Sequence, residues 1–307
     1  MKCQHQNGLQ LINNYQEAKI YYCPACQLTF SDKFLKPLKP EEIYNNYYKK
    51  GMAGRFNFGL EFIIKLFRLY RAFKIFTIYP KAKSILDIGS GRGYSLYFLK
   101  KIFKYQRAAG TQIEPNAFRF SKEKLKLEIY NQDLLHLNLP QVSFDIISLW
   151  HVFEHLQDPE TYLIKIFELL KANGKLIIEV PNYNSWTRKY CGPHWLGLDL
   201  NYHLTFFDYK TLANLLEKYG FKNKLIHTFS LEYSTFISVQ SIISRLTNTD
   251  QLIFNWLQGK NKFQSKMLWH LLLFILLTPA CFLVNLFLFI SKKGETLLIV
   301  AKKITVN

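Results

Sequence analysis

Residues His151, Val152, Phe153, Glu154 and His155 spell H-x-x-E-H, an inverted zinc-peptidase signature. On one helix the two histidines would share a face and could hold a metal, completed by a third ligand from a later helix. The flanking residues deny that context. His151 directly follows the β-branched run SFDIISLW, and Asp158-Pro159 announces a helix only afterwards. The five residues therefore open a loop at the carboxyl edge of a strand. Glu154 and His155 are expected to brace that loop by packing and hydrogen bonding.

A second constellation lies upstream. Ile85 and Leu86 run into Asp87, Gly89, Ser90, Gly91 and Gly93, and an apolar-periodic helix follows. Strand, glycine turn and helix in that order open a doubly wound sheet, whose ligands bind at the carboxyl ends of its strands. The glycines let backbone approach a ligand with no Cβ in the way. Glu114 ends a second strand about 20 residues past the last glycine, where such folds place a carboxylate on ribose hydroxyls. Asp133 follows a third strand, where it can accept from an exocyclic amine such as that of adenine.

These residues need a frame. LEFIIKLFRLYRAFKIFTIY repeats apolar residues at three- and four-residue intervals and stops before Pro80, predicting an amphipathic lead-in helix with Arg68 and Arg71 on one side. SFDIISLW reads as a fourth strand, DPETYLIKIFELLKANG as a helix stopped by Asn173-Gly174, and KLIIEVPN as a fifth strand. The alternation predicts an α/β fold with a parallel sheet covered on both faces. Upstream, Cys3-x-His5 and Cys23-Pro-Ala-Cys26 flank a Tyr-rich hairpin. Two short-spaced pairs can close a tetrahedral structural zinc site; the alternative is buried thiols. KPLKPEEIYNNYYKKG reads as a Pro-marked linker and a short helix.

The strings ILDIGSGRG, GTQIEP and FDIISLWHVFEHLQDPETYLIKIFELLKANGKLIIEVPN resemble the class I S-adenosylmethionine-dependent methyltransferases. The cysteine-rich start and HWLGLDLNYHLTFFDYKTLANLLEKYGF resemble a bacterial branch of them that acts on small or carrier-linked molecules. That branch has a second C-x-x-C where this chain has Cys3-x-His5. The resemblance implies a Rossmann-like sheet, mostly parallel with its last strand antiparallel, and S-adenosylmethionine as cofactor. It implies that Gly89, Ser90, Gly91 and Gly93 line the methionine part, with Asp87 near the ammonium. Glu114 would hold the ribose, Asp133 the adenine amine, and Trp150 and His151 would flank the sulfonium. Methyl transfer is an in-line displacement that asks the protein for alignment and, for some acceptors, a base. The candidates are His151, His155, His194, Tyr202 and His203, with His151 and His203 foremost because His203 falls where the related branch builds its acceptor pocket. Quinone O-methyltransferases of this fold carry E-x-x-E-H at the same strand end, where a divalent metal can bind; here His151 replaces the first glutamate, and a metal is not expected.

The chain has 307 residues, 49% of them hydrophobic, so a packed core is expected and wholesale disorder is not. Its formal net charge of +18 suits an anionic neighbour, but the lysines are scattered in no dense run, so nucleic acid is not the expected partner. No secretory pattern is seen in MKCQHQNGLQ, and a disulfide framework is not expected. Residues 267–290 are overwhelmingly apolar, with Thr278-Pro279 near the middle and lysines at both flanks. GETLLIVAKK follows at once and resembles the last strand of the sheet. If it docks beside KLIHTFSLEYSTFISV, read as the preceding strand, both ends must lie on one side of a bilayer. That predicts a helical hairpin dipping into one leaflet, ahead of a buried helical pair or a single span.

The expected organisation is a zinc-ribbon-like segment (1–35), a linker and lead-in helices (36–83), a methyltransferase domain (84–240), a hydrophobic helical insertion (241–294) and the final strand (295–307). The expected activity is methyl transfer to a small-molecule, carrier-linked or lipid-like acceptor at the inner face of the membrane. The rival is a non-catalytic S-adenosylmethionine-binding or scaffold protein.

Overall fold

The computed structural model describes residues 8–36, 58–249, 251–257 and 261–304. Cys3, His5 and the short helix expected near residue 45 lie outside the described residues. The chain opens with β1 (Gln10–Asn14), β2 (Lys19–Tyr22) and β3 (Thr29–Ser31), then the long α1 (Phe58–Ile78). The glycine turn joins β4 (Ser84–Ile88) to α2 (Tyr94–Lys101). There follow β5 (Arg107–Thr111), α3 (Pro115–Arg119), β6 (Glu128–Tyr130), β7 (Phe144–Trp150), α4 (Pro159–Leu169) and β8 (Leu170–Pro181). The last third holds α5 (Trp186–Cys191), β9 (Thr205–Phe206), α6 (Tyr209–Lys218), β10 (Phe221–His227), α7 (Ser234–Thr247), α8 (Leu252–Leu257), α9 (Lys266–Ile290) and β11 (Thr296–Lys303).

The main sheet runs β6-β5-β4-β7-β8-β11-β10. The pairs from β6 to β8 are parallel; β11 is antiparallel to both β8 and β10. Successive residues face opposite layers, as strand geometry requires. Leu86 and Ile147 pack with Leu163 and Ile166 of α4, whereas Ile85 and Ile146 pack with Ile75 of α1 and Leu99 of α2. The chain leaves β4 for β5 and β6 and returns on its other side at β7. That reversal opens a crevice at the carboxyl ends of β4, β5 and β7.

Several boundaries differ from expectation. The helix begun by Asp158-Pro159 is capped as predicted, with Asp158 Oδ1 accepting from Thr161 N at 3.1 Å. It stops at Leu169 and not at Asn173, because Leu170 pairs with Phe144 and is buried there. The strand expected across KLIHTFSLEYSTFISV ends at His227, and a helix starts at Ser234. Its buried Ser234, Ile237, Ser238 and Ser241 recur at helical spacing, and the small serines admit close neighbours. The expected boundary at 240/241 therefore falls inside α7. The amino-terminal strands are joined to the rest, since β3 pairs antiparallel with β9.

The expected hairpin at Thr278-Pro279 is not formed: α9 is one continuous helix with Pro279 inside it. Both halves are anchored to α7. His270 Nε2 lies 3.2 Å from Thr247 Oγ1, and Asn285 Nδ2 donates to Ser238 Oγ at 2.9 Å. These contacts keep the helix continuous across the proline, whose fixed φ is itself helical. Leu268, Ile275, Leu276, Leu283, Phe287 and Ile290 remain exposed along the other face, Phe287 by 73%.

Candidate active site

Gly89, Ser90, Gly91, Gly93, Glu114, Asp133, Trp150 and His151 all line one cavity of about 610 Å³ in the crevice. Gly89 has φ +70, and a Cβ there would meet Val152 Cγ2 at 2.5 Å. Gly91 has φ +57, but its Cβ position is open, with Gln112 Nε2 the nearest atom at 4.0 Å. The first glycine is required by packing and backbone, and the second keeps space beside the cavity clear.

Asp87 does not line the cavity. It is buried beneath the turn and accepts from Ser148 Oγ at 2.6 Å. Burial pushes its carboxyl up to about 6, against the opposing pull of Ser148, Arg71 and Arg68. Glu114 stands beyond the end of β5 as the N-cap of α3. Its Oε1 accepts from Asn116 N at 3.0 Å and Asn116 Nδ2 at 2.9 Å, its Oε2 from Ala117 N at 2.6 Å. A carboxylate has about four acceptor sites, so capping leaves it capacity for a ligand hydroxyl. Asp133 Oδ1 accepts from Leu135 N at 2.8 Å, and the Tyr162 hydroxyl donates to Oδ2.

His151 sits in the left-handed region at φ 54, and its N–H donates to Glu179 O at 2.8 Å. Its Nδ1 lies 3.5 Å from Glu154 Oε1, its Nε2 3.4 Å from Glu179 Oε1, and Tyr233 meets it edge-on at 4.3 Å. Burial opposes a charged ring, but Glu154 and Glu179 outweigh it and push the imidazole up to about 10. To act as a base, His151 would first have to give up that proton. Trp150 has the Arg71 guanidinium 4.6 Å over its ring, and its buried Nε1 has no hydrogen-bond partner.

His155 lines the cavity; His194, Tyr202 and His203 do not. His203 lies behind His155, their rings 4.8 Å apart, with its Nδ1 3.1 Å from Gly197 O. Cys23 and Cys26 share one tight turn, closed by Gln27 N donating to Cys23 O at 2.7 Å and Cys23 N to Leu28 O at 2.9 Å. That compactness is what a two-thiolate arm of a zinc site needs.

Residues with no expected role complete the wall. Arg71 Nη2 donates to Glu232 Oε2 at 2.7 Å, and Arg68 pairs with the other oxygen, tying α1 to the turn before α7. Burial would raise the Glu232 carboxyl, but Arg71 and Arg68 pull it down to about 2. Glu179 had a sequence signal, a lone acid inside the apolar run LIIEVP. Glu232 and Tyr233 had none, because their partners on α1 are more than 150 residues away.

A family model described as a methyltransferase domain matches residues 62–225, more than half of the chain. The chain is 24% identical over 142 residues to a probable S-adenosylmethionine-dependent methyltransferase of Mycolicibacterium smegmatis, covering 46% of this chain and 52% of that protein. It is 28% identical over 129 residues to the mitochondrial ubiquinone biosynthesis O-methyltransferase of Schizosaccharomyces pombe, covering 39% and 43%. It thus spans about half the length of these curated relatives. A crystal structure of a SAM dependent methyltransferase from Archaeoglobus fulgidus superposes with a TM-score of 0.51 at 20% identity, covering 78% of this chain and 94% of that one, which is a likeness of fold.

Proposed function

This chain belongs to the methyltransferase-domain family of class I S-adenosylmethionine-dependent proteins, and on that premise we propose that it transfers a methyl group to a small-molecule, carrier-linked or lipid-like acceptor at a membrane surface. The observation that carries the reading is the convergence of the glycine turn, Glu114, Asp133, Trp150 and His151 on one cavity at the switch point of a parallel sheet. The open space beside Gly91 and the unpartnered Trp150 Nε1 fit a bound polar ligand.

S-adenosylmethionine supplies an electrophilic methyl group, so that a carbon–sulfur bond breaks as the bond to the acceptor forms. The chain supplies alignment. Gly89, Ser90, Gly91 and Gly93 hold the methionine part, and Asp87 acts on the ammonium from behind the turn. Glu114 takes the ribose and Asp133 the adenine amine. Trp150 and His151 wall the methyl end, where His151, clamped between Glu154 and Glu179, presents a fixed cationic ring face to the acceptor. His203 supports that wall through His155. Cys23 and Cys26, with Cys3 and His5 from outside the described residues, would hold a structural zinc ion.

The membrane part of the reading rests on α9, a helix among the described residues long and apolar enough to cross a bilayer. It is followed at once by β11, docked between β8 and β10, which favours a helix lying in one leaflet by its exposed face over a span. The net charge of +18 suits anionic lipid. Calorimetric titration with S-adenosylmethionine and with S-adenosylhomocysteine tests the cofactor assignment. Micromolar binding of both is expected, and no heat with either ligand would refute it.

A further inference from the structure

The helix α1 has two unlike sides. Ile64, Arg68 and Arg71 line the cavity, and Ala72 and Ile75 are buried against the sheet. On the opposite side Phe62, Ile63, Leu66, Tyr70 and Phe73 are each between 42% and 57% exposed. At about 100° per residue these five fall within one sector about 100° wide, facing away from the cavity. Single exposed apolar residues are normal on a water-facing helix. A continuous stripe of large ones marks a surface that meets a partner.

The stripe continues toward α9. One turn, residues 228–233, touches both helices. On the α1 side Glu232 Oε2 accepts from Arg71 Nη2 at 2.7 Å. On the α9 side Thr228 Oγ1 donates to Phe289 O at 3.3 Å, and the Phe229 and Phe282 rings lie 6.0 Å apart. Leu231, between these anchors, is 45% exposed. The exposed apolar sides of α1 and of the carboxyl-terminal half of α9 are thus neighbours across a single turn.

Charge selects the occupant. Lys65, Arg68, Arg71 and Lys74 of α1 stand against the single acid Glu61. Residues 251–294, which include α9, hold no acid, and Lys262, Lys266, Lys292 and Lys293 flank the apolar helix. A second copy of this chain would bring the same excess of cations to the contact. An anionic bilayer supplies both the apolar interior and the counter-charge.

We propose that the outward stripe of α1 is a second lipid-contact surface, continuous with α9, and that docking on an anionic bilayer places α1 between the lipid and the cavity. The inference rests on the membrane part of the function proposed above and extends it from α9 to the wall of the active site. A helix is about 10 Å across. An amphipathic acceptor anchored in the bilayer by its apolar part therefore needs to lift its reacting head past only one helix to reach the cavity.

The test uses the full chain with p-benzoylphenylalanine in place of Phe73, of Phe287 on α9, or of Ile164, which is exposed on α4 in the opposite layer. Each protein is irradiated on phosphatidylglycerol vesicles, and the adducts are read by mass spectrometry. Lipid adducts from positions 73 and 287 and none from 164 are expected. Lipid adducts from 287 alone would overturn the α1 surface while leaving the α9 reading in place, and lipid adducts from neither would remove both. Adducts from position 73 wholly to residues 37–57 of the same chain, or to a second copy, would also overturn it. Leu66→Glu with Phe73→Glu should lower vesicle co-sedimentation at least about tenfold, the loss of two buried apolar side chains, with S-adenosylhomocysteine affinity and circular dichroism unchanged. Sedimentation of that folded variant equal to wild type would contradict the proposal.

Discussion

Trp195 Nε1 donates to Glu295 Oε2 at 2.9 Å in a wholly buried contact between the loop after α5 and the start of β11. Ser238 Oγ donates to the other oxygen at 3.0 Å and itself receives Asn285 Nδ2, so one network joins α7, α9 and β11. Burial pushes the Glu295 carboxyl up to about 7, only partly offset by Thr187, Trp195 and Ser238. A raised acid favours the folded state when protonated. Its stabilisation is full below about 4.5 and is lost as pH rises through 7. Glu295→Gln should therefore flatten the pH dependence of the thermal midpoint between pH 5 and 8, a swing of on the order of 3 kcal/mol. Melting curves across that range check it; an unchanged slope would contradict the assignment.

Glu232 has the opposite sign. Its carboxyl is pulled down to about 2 by Arg71 and Arg68, so its stabilisation is present above about 4.5 and lost as pH falls toward 2. Glu232→Gln leaves two guanidinium groups in a mostly buried site and is expected to cost about 3 kcal/mol at pH 7. Urea melts should show that cost at pH 7 and a much smaller one near pH 2.

Gly91→Val tests the glycine turn. A β-branched residue at φ +57 is strained, and its methyls fill the space beside the cavity. S-adenosylhomocysteine affinity should fall at least tenfold by calorimetry, with the far-ultraviolet dichroism unchanged.

The proposed lipid docking assigns contact with the bilayer to the exposed face of α9. Ile275→Glu with Phe287→Glu places two charges on that face without touching Cys281 or Asn285, which are buried. Co-sedimentation with phosphatidylglycerol vesicles should drop at least tenfold, while Asn285→Ala should keep it. Equal sedimentation of the double variant would contradict a lipid-docking role.

The parts of the fold that repeat locally were legible. ILDIGSGRG gave the β4 turn, and DPET gave the cap of α4, because each signal lies within a few residues of its consequence. What failed depended on distant partners. Pro279 suggested a break, but His270 and Asn285 hold α9 together through residues of α7 that no local pattern names. The side of the wall that His203 takes is set by its ring contact with His155, a partner 48 residues away. Glu232 was invisible because its meaning comes from arginines on α1.

The central claim is methyl transfer. The direct measurement incubates the purified chain with methyl-labelled S-adenosylmethionine and a membrane-plus-soluble extract, then follows label into acceptors by mass spectrometry. The account predicts a labelled product that depends on the chain and, at limiting cofactor, falls at least tenfold in Gly91→Val. Tight cofactor binding with no labelled product in any fraction would contradict it.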